Sequence, residues 1–296
     1  MSELLSPAIL KQLSRFSFAA PPFIRGTNKG EHRSTKHGSS LEFSDFRLYY
    51  PGDDLRQIDW NTYARTHKHY IKRFLDEKEL TVSVYVDATR SMGAHEEKWQ
   101  RTKQLAAVFS FITLMNNDRL SLKVLSNSNQ TFHPIIKGKA AVHNIFNMIA
   151  KFETLAHEES FASVLQHTVK NSKGHEGISV MISDFLEAPE PIFEGIKLLQ
   201  ARKQKILLMQ VLLPEEKSPA YAGDLKLIDI ENGASRDVSM NRAVLESYDQ
   251  RFREHEKTIR AFAGKRGIGF VSSLTNEPLE EVVFSRIAAN GFMMAR

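Results

Sequence analysis

Two apolar runs in this chain end on an aspartate, and they constrain the fold more than any other feature. Thr81-Val-Ser-Val-Tyr-Val-Asp87 carries Val82, Val84, Tyr85 and Val86, the β-branched and aromatic content of a buried strand. Gly177-Ile-Ser-Val-Met-Ile-Ser-Asp184 repeats the pattern. Strands apolar on both faces belong to parallel sheets covered by helices on each side. Ligands of such sheets bind beyond the carboxyl ends of the strands, which is where both acids fall.

The rest of the chain supports that reading. From Thr81 onward, strand-like runs alternate with helical ones. Glu97 to Met115 reads as a long helix with an apolar face, Asp118 to Leu125 as a strand and Thr131 to Ile136 as a short one. Residues 139–152, 160–170, 191–202, 241–263 and 277–288 read as helices, and 205–213 and 267–272 as strands. Alternation of this kind predicts an α/β fold with a doubly wound, mostly parallel sheet. Near residues 221–239 two β-like runs flank Asn232-Gly233, a strong hairpin signal. We divide the chain into an N-terminal segment, 1–75, and an α/β domain, 76–296, carrying that hairpin as an insertion.

The N-terminal segment opens with an amphipathic helix over Ser6 to Phe18, capped by Ser6 with Pro7 in its first turn. A basic stretch follows, with Arg25, Lys29, Arg33 and Lys36. Residues 38–65 are dense in acids and arginines. Asp53 or Asp54 is expected to cap a helix carrying Leu55, Ile58 and Trp60. Arg47, Arg56 and Arg65 stand among Glu42, Asp45, Asp53, Asp54 and Asp59, a mixture suited to bidentate ion pairs. His69 to Leu75 reads as a strand.

Several classes of chemistry drop out. The chain has no cysteine, so a disulfide framework, a thiol nucleophile and a zinc-thiolate site are excluded. The formal charge of +5 over 296 residues permits an acidic partner without demanding one. Neither a secretory leader nor a long uncharged apolar window is present, which points to the cytoplasm. A phosphatase with a strand-end aspartate needs a second acid two residues on, and that position is Thr89. The loop after Asp87 holds only Gly93, too few glycines for a dinucleotide turn. No nucleophile elbow or metalloprotease helix motif occurs. His67 and His69 share one strand face, without a third ligand. Nucleic-acid binding would rest on Arg25 to Lys36, Lys68, Lys72 and Arg73 with Tyr70 and Phe74, and would weaken steeply with salt. It ranks below a protein partner.

After Asp87 come Thr89 and Ser91. A carboxylate with two hydroxyls on one loop is an oxygen donor set for a hard cation such as magnesium. Asp87-Ala-Thr89-Arg-Ser91 with Asp184 further on resembles the metal-ion-dependent adhesion site of von Willebrand factor type A domains. That family's motif also has a threonine opening a helix. The matching position here is Glu159, and Ser160 fits with a one-residue slip. Upstream, Glu42-Phe43, Tyr50-Pro-Gly-Asp-Asp54, Arg56, Ile58-Asp-Trp60 and Ala64-Arg65 resemble the signature of the bacterial family known as domain of unknown function 58 (DUF58). The resemblance implies a von Willebrand A-like fold after the signature and no established enzymatic activity. It also implies partnership with a MoxR-type AAA+ ATPase in chaperone-like maturation of a client protein. The expectation is a non-enzymatic adaptor. Magnesium would be held by Asp87, Thr89, Ser91 and Asp184, with Glu159 or Ser160 contributing. Partner contacts would come from Arg90, Arg47, Arg56 and Arg65. A metal-free scaffold with a degenerate site is the alternative.

Overall fold

The computed structural model describes residues 4–19, 42–75, 80–125, 134–154, 160–172, 176–221, 223–228 and 234–296. The chain forms two units, one made of Met1–Pro21 with Leu80–Arg296 and a smaller one of Pro22–Glu79. The N-terminal residues thus join the α/β unit, where a single N-terminal block through residue 75 was the expectation. The cause is a helix and a strand. Helix α1 (Pro7–Leu13) starts at Ser6, whose hydroxyl accepts from the Ile9 amide at 3.3 Å. The expected longer helix stops there, and Phe16–Phe18 becomes strand β1, antiparallel to a C-terminal strand, Met293–Ala295. Neither strand was legible in the sequence. Each is three residues long and too short to show a period.

In the smaller unit β2 (Glu42–Leu48) pairs antiparallel with β3 (Tyr70–Leu75). Between them Asp54 caps a single 3-10 turn, Leu55–Gln57, and Asp59 caps helix α2 (Trp60–Thr66) by accepting from the amides of Asn61 and Thr62. The expected single helix is therefore two short ones, broken at Ile58, whose backbone is extended. Ile58 is buried, whereas Leu55 and Trp60 are exposed. His67 closes α2 in the left-handed conformation (φ 52°) and His69 precedes β3, so the two histidines do not share a strand face.

The α/β unit is built on a six-stranded sheet. Its strands are β4 (Thr81–Asp87), β5 (Arg119–Leu125), β6 (Ile136–Lys137), β7 (Gly177–Ser183), β8 (Gln204–Leu212) and β11 (Gly269–Leu274), in the order β11-β8-β7-β4-β5-β6. Every pairing is parallel except that of β6. Every residue of β4 and β7 is buried, as the apolar runs require. The helices that cover the sheet are α4 (Glu96–Met115), α5 (Val142–Ala150), α6 (Phe161–Asn171), α7 (Pro189–Ala201) and α9 (Arg242–Lys265). Helices α6, α7 and α9 enclose one core with Tyr85, Met181 and Leu208 of the strands. On the other face α4 packs against β4, β5, β7 and β8, and α1, β1 and α5 pack against α4. This is why α4 is buried nearly all round from Lys98 onward instead of presenting one apolar face. The hairpin β9 (Gly223–Ile228) and β10 (Ser235–Met240) is a separate antiparallel pair. Its Asn232-Gly233 turn lies outside the described residues, as does the first half, 131–133, of the short strand expected at 131–136, whose last residue, Ile136, opens β6.

Candidate functional site

Strand order decides which loops meet. Sequence order runs outward from β4 through β5 to β6 on one side, and from β7 through β8 to β11 on the other. The order reverses between β4 and β7, the place where an open α/β sheet leaves a crevice at its carboxyl edge. Val86 pairs with Ile182, so Asp87 and Asp184 lie on adjacent strand ends at that crevice.

Asp87 is almost wholly buried. Its Oδ1 accepts from the Thr89 amide at 3.0 Å and the Thr89 hydroxyl at 2.8 Å, and its Oδ2 from the Ser183 hydroxyl at 2.6 Å. Burial first, and then the charge of Asp184, push its carboxyl up to about 7, against the pull of these hydrogen bonds. Thr89 leads into a four-residue helical turn, α3 (Arg90–Gly93), and its Oγ1 lies 3.0 Å from Ser91 Oγ. Arg90 is exposed.

Asp184 reaches the same rim with its charge already matched. Its Oδ2 accepts from Lys98 Nζ at 2.8 Å and its Oδ1 from the Leu186 amide at 3.1 Å. Lys98 has no solvent exposure, and its ammonium also donates to Glu216 Oε1 at 2.7 Å. Burial alone would lower the Lys98 pKa, but the two carboxylates outweigh it and the net shift is upward. The other oxygen of Glu216 accepts from the Leu213 amide at 2.8 Å, in the turn before helix α8 (Pro214–Lys217). Phe185 follows Asp184 with φ 53°, a left-handed conformation that costs a bulky residue about 1–3 kcal/mol. It is held there by its amide donating to Ser183 Oγ at 3.1 Å and by its carbonyl accepting from His255 Nε2 at 2.6 Å.

The position of the family's threonine is filled differently. Ser160 caps α6, its hydroxyl accepting from the Ser163 amide at 3.2 Å. Glu187 accepts from the Phe161 and Ala162 amides at 2.7 and 3.2 Å, so the start of α6 already carries a carboxylate, which its dipole favours. Glu159 lies outside the described residues. In the smaller unit Arg47 binds Asp53 bidentately at 2.5 and 2.8 Å, and this guanidinium holds the Asp53 carboxyl down at about 2. Arg56 and Arg65 are exposed.

Does this donor set fit magnesium? An octahedron with bonds of about 2.1 Å has edges of about 3.0 Å, and the Thr89 and Ser91 oxygens stand 3.0 Å apart. A buried carboxyl lies directly behind them. These three residues fit the ion, whereas Asp184 is taken by an ammonium. Among the described residues no three His, Asp or Glu side chains gather around one point, so hydroxyls would have to supply the site. Lys98, Glu216, Glu187, Ser183 and His255 were missed in the sequence. Only Ser183, next to Asp184 on the strand, carried a positional hint.

The family model described as "Protein of unknown function DUF58" matches residues 45–258. An uncharacterized protein of Mycobacterium tuberculosis is 25% identical over 257 residues, covering 86% of this chain and 80% of the mycobacterial one. Among solved structures, an aerotolerance-related membrane protein from Bacteroides fragilis is similar at 13% identity and a TM-score of 0.38. That match covers 63% of this chain and 98% of the other. A von Willebrand factor type A protein from Catenulispora acidiphila is similar at 8% identity and a TM-score of 0.37, covering 60% and 43%. Among the described residues no helix is long and apolar enough to cross a membrane.

Proposed function

This chain belongs to the DUF58 family, and we propose that it is a non-enzymatic protein-interaction module of the cytoplasm whose working surface is the carboxyl edge of its parallel sheet. The observation that carries the reading is the hydroxyl pair of Thr89 and Ser91, 3.0 Å apart, on the buried Asp87 at the strand-order reversal. In this proposal Thr89, Ser91 and Asp87 hold one magnesium ion, which when bound offers a coordination position to a carboxylate of the partner. Arg90, exposed beside the pair, meets the same acidic residue. The partner we propose is a MoxR-type AAA+ ATPase, with the module handing it a client protein. Exposed Arg56 and Arg65 of the smaller unit offer further contacts.

A metal-independent form of the same reading has its own support. Lys98 already neutralises Asp184, so the rim carries an internal cation. Calorimetry with magnesium chloride separates the two. The proposal expects heat of binding in the wild type and none in Asp87→Ala. No heat in either removes the metal and leaves the metal-independent form. Purified chain and ATPase are then mixed with magnesium or with chelator. Failure to associate in both buffers overturns the proposed partnership.

A further inference from the structure

Next to the strand-order reversal, and joined to it through Glu216 and Lys98, the α/β unit has a second concavity of about 810 Å³. Four elements wall it: the first turn of α4, the turn into α8, the β9–β10 hairpin, and α9. Its floor is apolar, with Leu213, Tyr221, Leu227, Met240 and Tyr248. Tyr221 is 49% exposed and Leu227 47%. Large apolar side chains left this open in one place mark a docking surface.

The charges around that floor have one sign. Glu96, Glu97, Glu215 and Glu216 line the cleft, and among the described residues no lysine or arginine does. Glu216 is neutralised by Lys98. Glu96, Glu97 and Glu215 are exposed and make no ion pair among the described residues. On a chain of net charge +5, this acidic rim is local and runs against the whole. An apolar centre with a charged, solvent-facing rim is the anatomy of a protein interface, whereas a small-molecule pocket encloses most of its ligand. Among the described residues the β9 strand pairs with β10 alone, so one of its edges offers backbone groups to an extended segment.

We infer that this cleft docks a segment of a partner protein that combines arginine or lysine with large apolar side chains. The apolar groups cover Tyr221 and Leu227, and the cations meet Glu96, Glu97 and Glu215. The inference does not rest on the magnesium reading, because none of these residues is among Asp87, Thr89 and Ser91.

The test is fluorescence anisotropy of the full chain with a short fluorescein-labelled peptide alternating Leu and Arg. The same peptide with Glu for Arg, and one with Ser for Leu, serve as comparisons. The wild type is expected to bind the Leu–Arg peptide and neither comparison peptide comparably. E96Q/E97Q/E215Q is expected to weaken binding about tenfold or more, and Leu227→Ser to weaken it without changing its salt dependence. Glu216 is left intact, since it holds Lys98. Gln at Glu246 and Glu254, exposed on α9, should leave binding unchanged. Equal binding by the triple variant and the wild type would overturn the inference. So would an equal loss in the α9 variant, which would mark the contact as unspecific attraction.

Discussion

Lys98→Met isolates the internal cation at the rim. Lys98 sits in the first turn of α4, where the helix dipole disfavours a positive charge, and it has no solvent exposure. Only its two carboxylates, at 2.8 and 2.7 Å, make that position tenable. Removing one member of a buried ion pair costs about 3–5 kcal/mol, because the other charge is stranded. Here two charges are stranded, but unequally. The Asp184 side chain is 7% exposed and that of Glu216 24%, so Glu216 recovers part of its hydration. Both also keep a backbone amide, Leu186 for one and Leu213 for the other. A loss of about 3 kcal/mol is therefore expected, near the low end of the range. Urea unfolding followed by tryptophan fluorescence would measure it. Trp99, adjacent to Lys98 and bonded through its indole N–H to the Phe152 carbonyl, reports on the same helix turn. Lys98→Met with Asp184→Asn and Glu216→Gln should recover most of the loss, since no charge is then unpaired. The pH dependence has a fixed sign. The folded pKa of Lys98 is raised, so its contribution is complete below the unfolded ammonium's value and is lost only at higher pH. A single variant within about 1 kcal/mol of wild type, below what stranding a buried charge costs, would refute the reasoning. So would a triple variant no better than the single one.

Three further outcomes are expected. Burial, and then the charge of Arg202, lower the Lys123 ammonium to about 8, so the folded chain holds fewer protons than the unfolded one between pH 8 and about 10.4. Stability should rise with pH across that window, by at most about 3 kcal/mol, and Lys123→Met should abolish the rise in urea titrations at stepped pH. Glu187→Ala removes the carboxylate from two α6 amides at 2.7 and 3.2 Å and should cost about 1–3 kcal/mol by thermal unfolding, with Glu187→Gln losing less. Gly177→Ala places a methyl 2.1 Å from the Thr81 carbonyl oxygen across the β4–β7 pair. The strands must part there, so a loss of about 1–3 kcal/mol is expected, and an unchanged melting temperature would contradict the register.

Which parts of this molecule were legible follows from the range of the interactions involved. Buried parallel strands declare themselves because both faces demand apolar residues, and β4 and β7 were readable end to end. Thr89 and Ser91 were readable because they share a loop with Asp87. Short strands were not, since β1 owes its existence to a C-terminal partner and not to its own three residues. The arginine-rich signature promised a network of ion pairs. Of Arg47, Arg56 and Arg65, only Arg47 forms an ion pair among the described residues, with an aspartate on a nearby turn.

The rim shows why the site was only half visible. Asp87 and Asp184 are far apart in sequence, yet strand-end acids in a doubly wound sheet have few places to go, and the strand order β7-β4 sets them side by side. Lys98 obeys no such rule. In Glu96-Glu97-Lys98 it reads as the solvated first turn of a helix, and nothing local marks it as buried. Its environment is composed by three distant pieces of chain: α4, the end of β7 and the turn before α8. A tertiary ion pair leaves no periodic trace, because one side chain is enough to make it. The hydroxyls of Thr89 and Ser91 stand together on the loop after Asp87. The cation that Asp184 holds came instead from a helix that the motif does not mention.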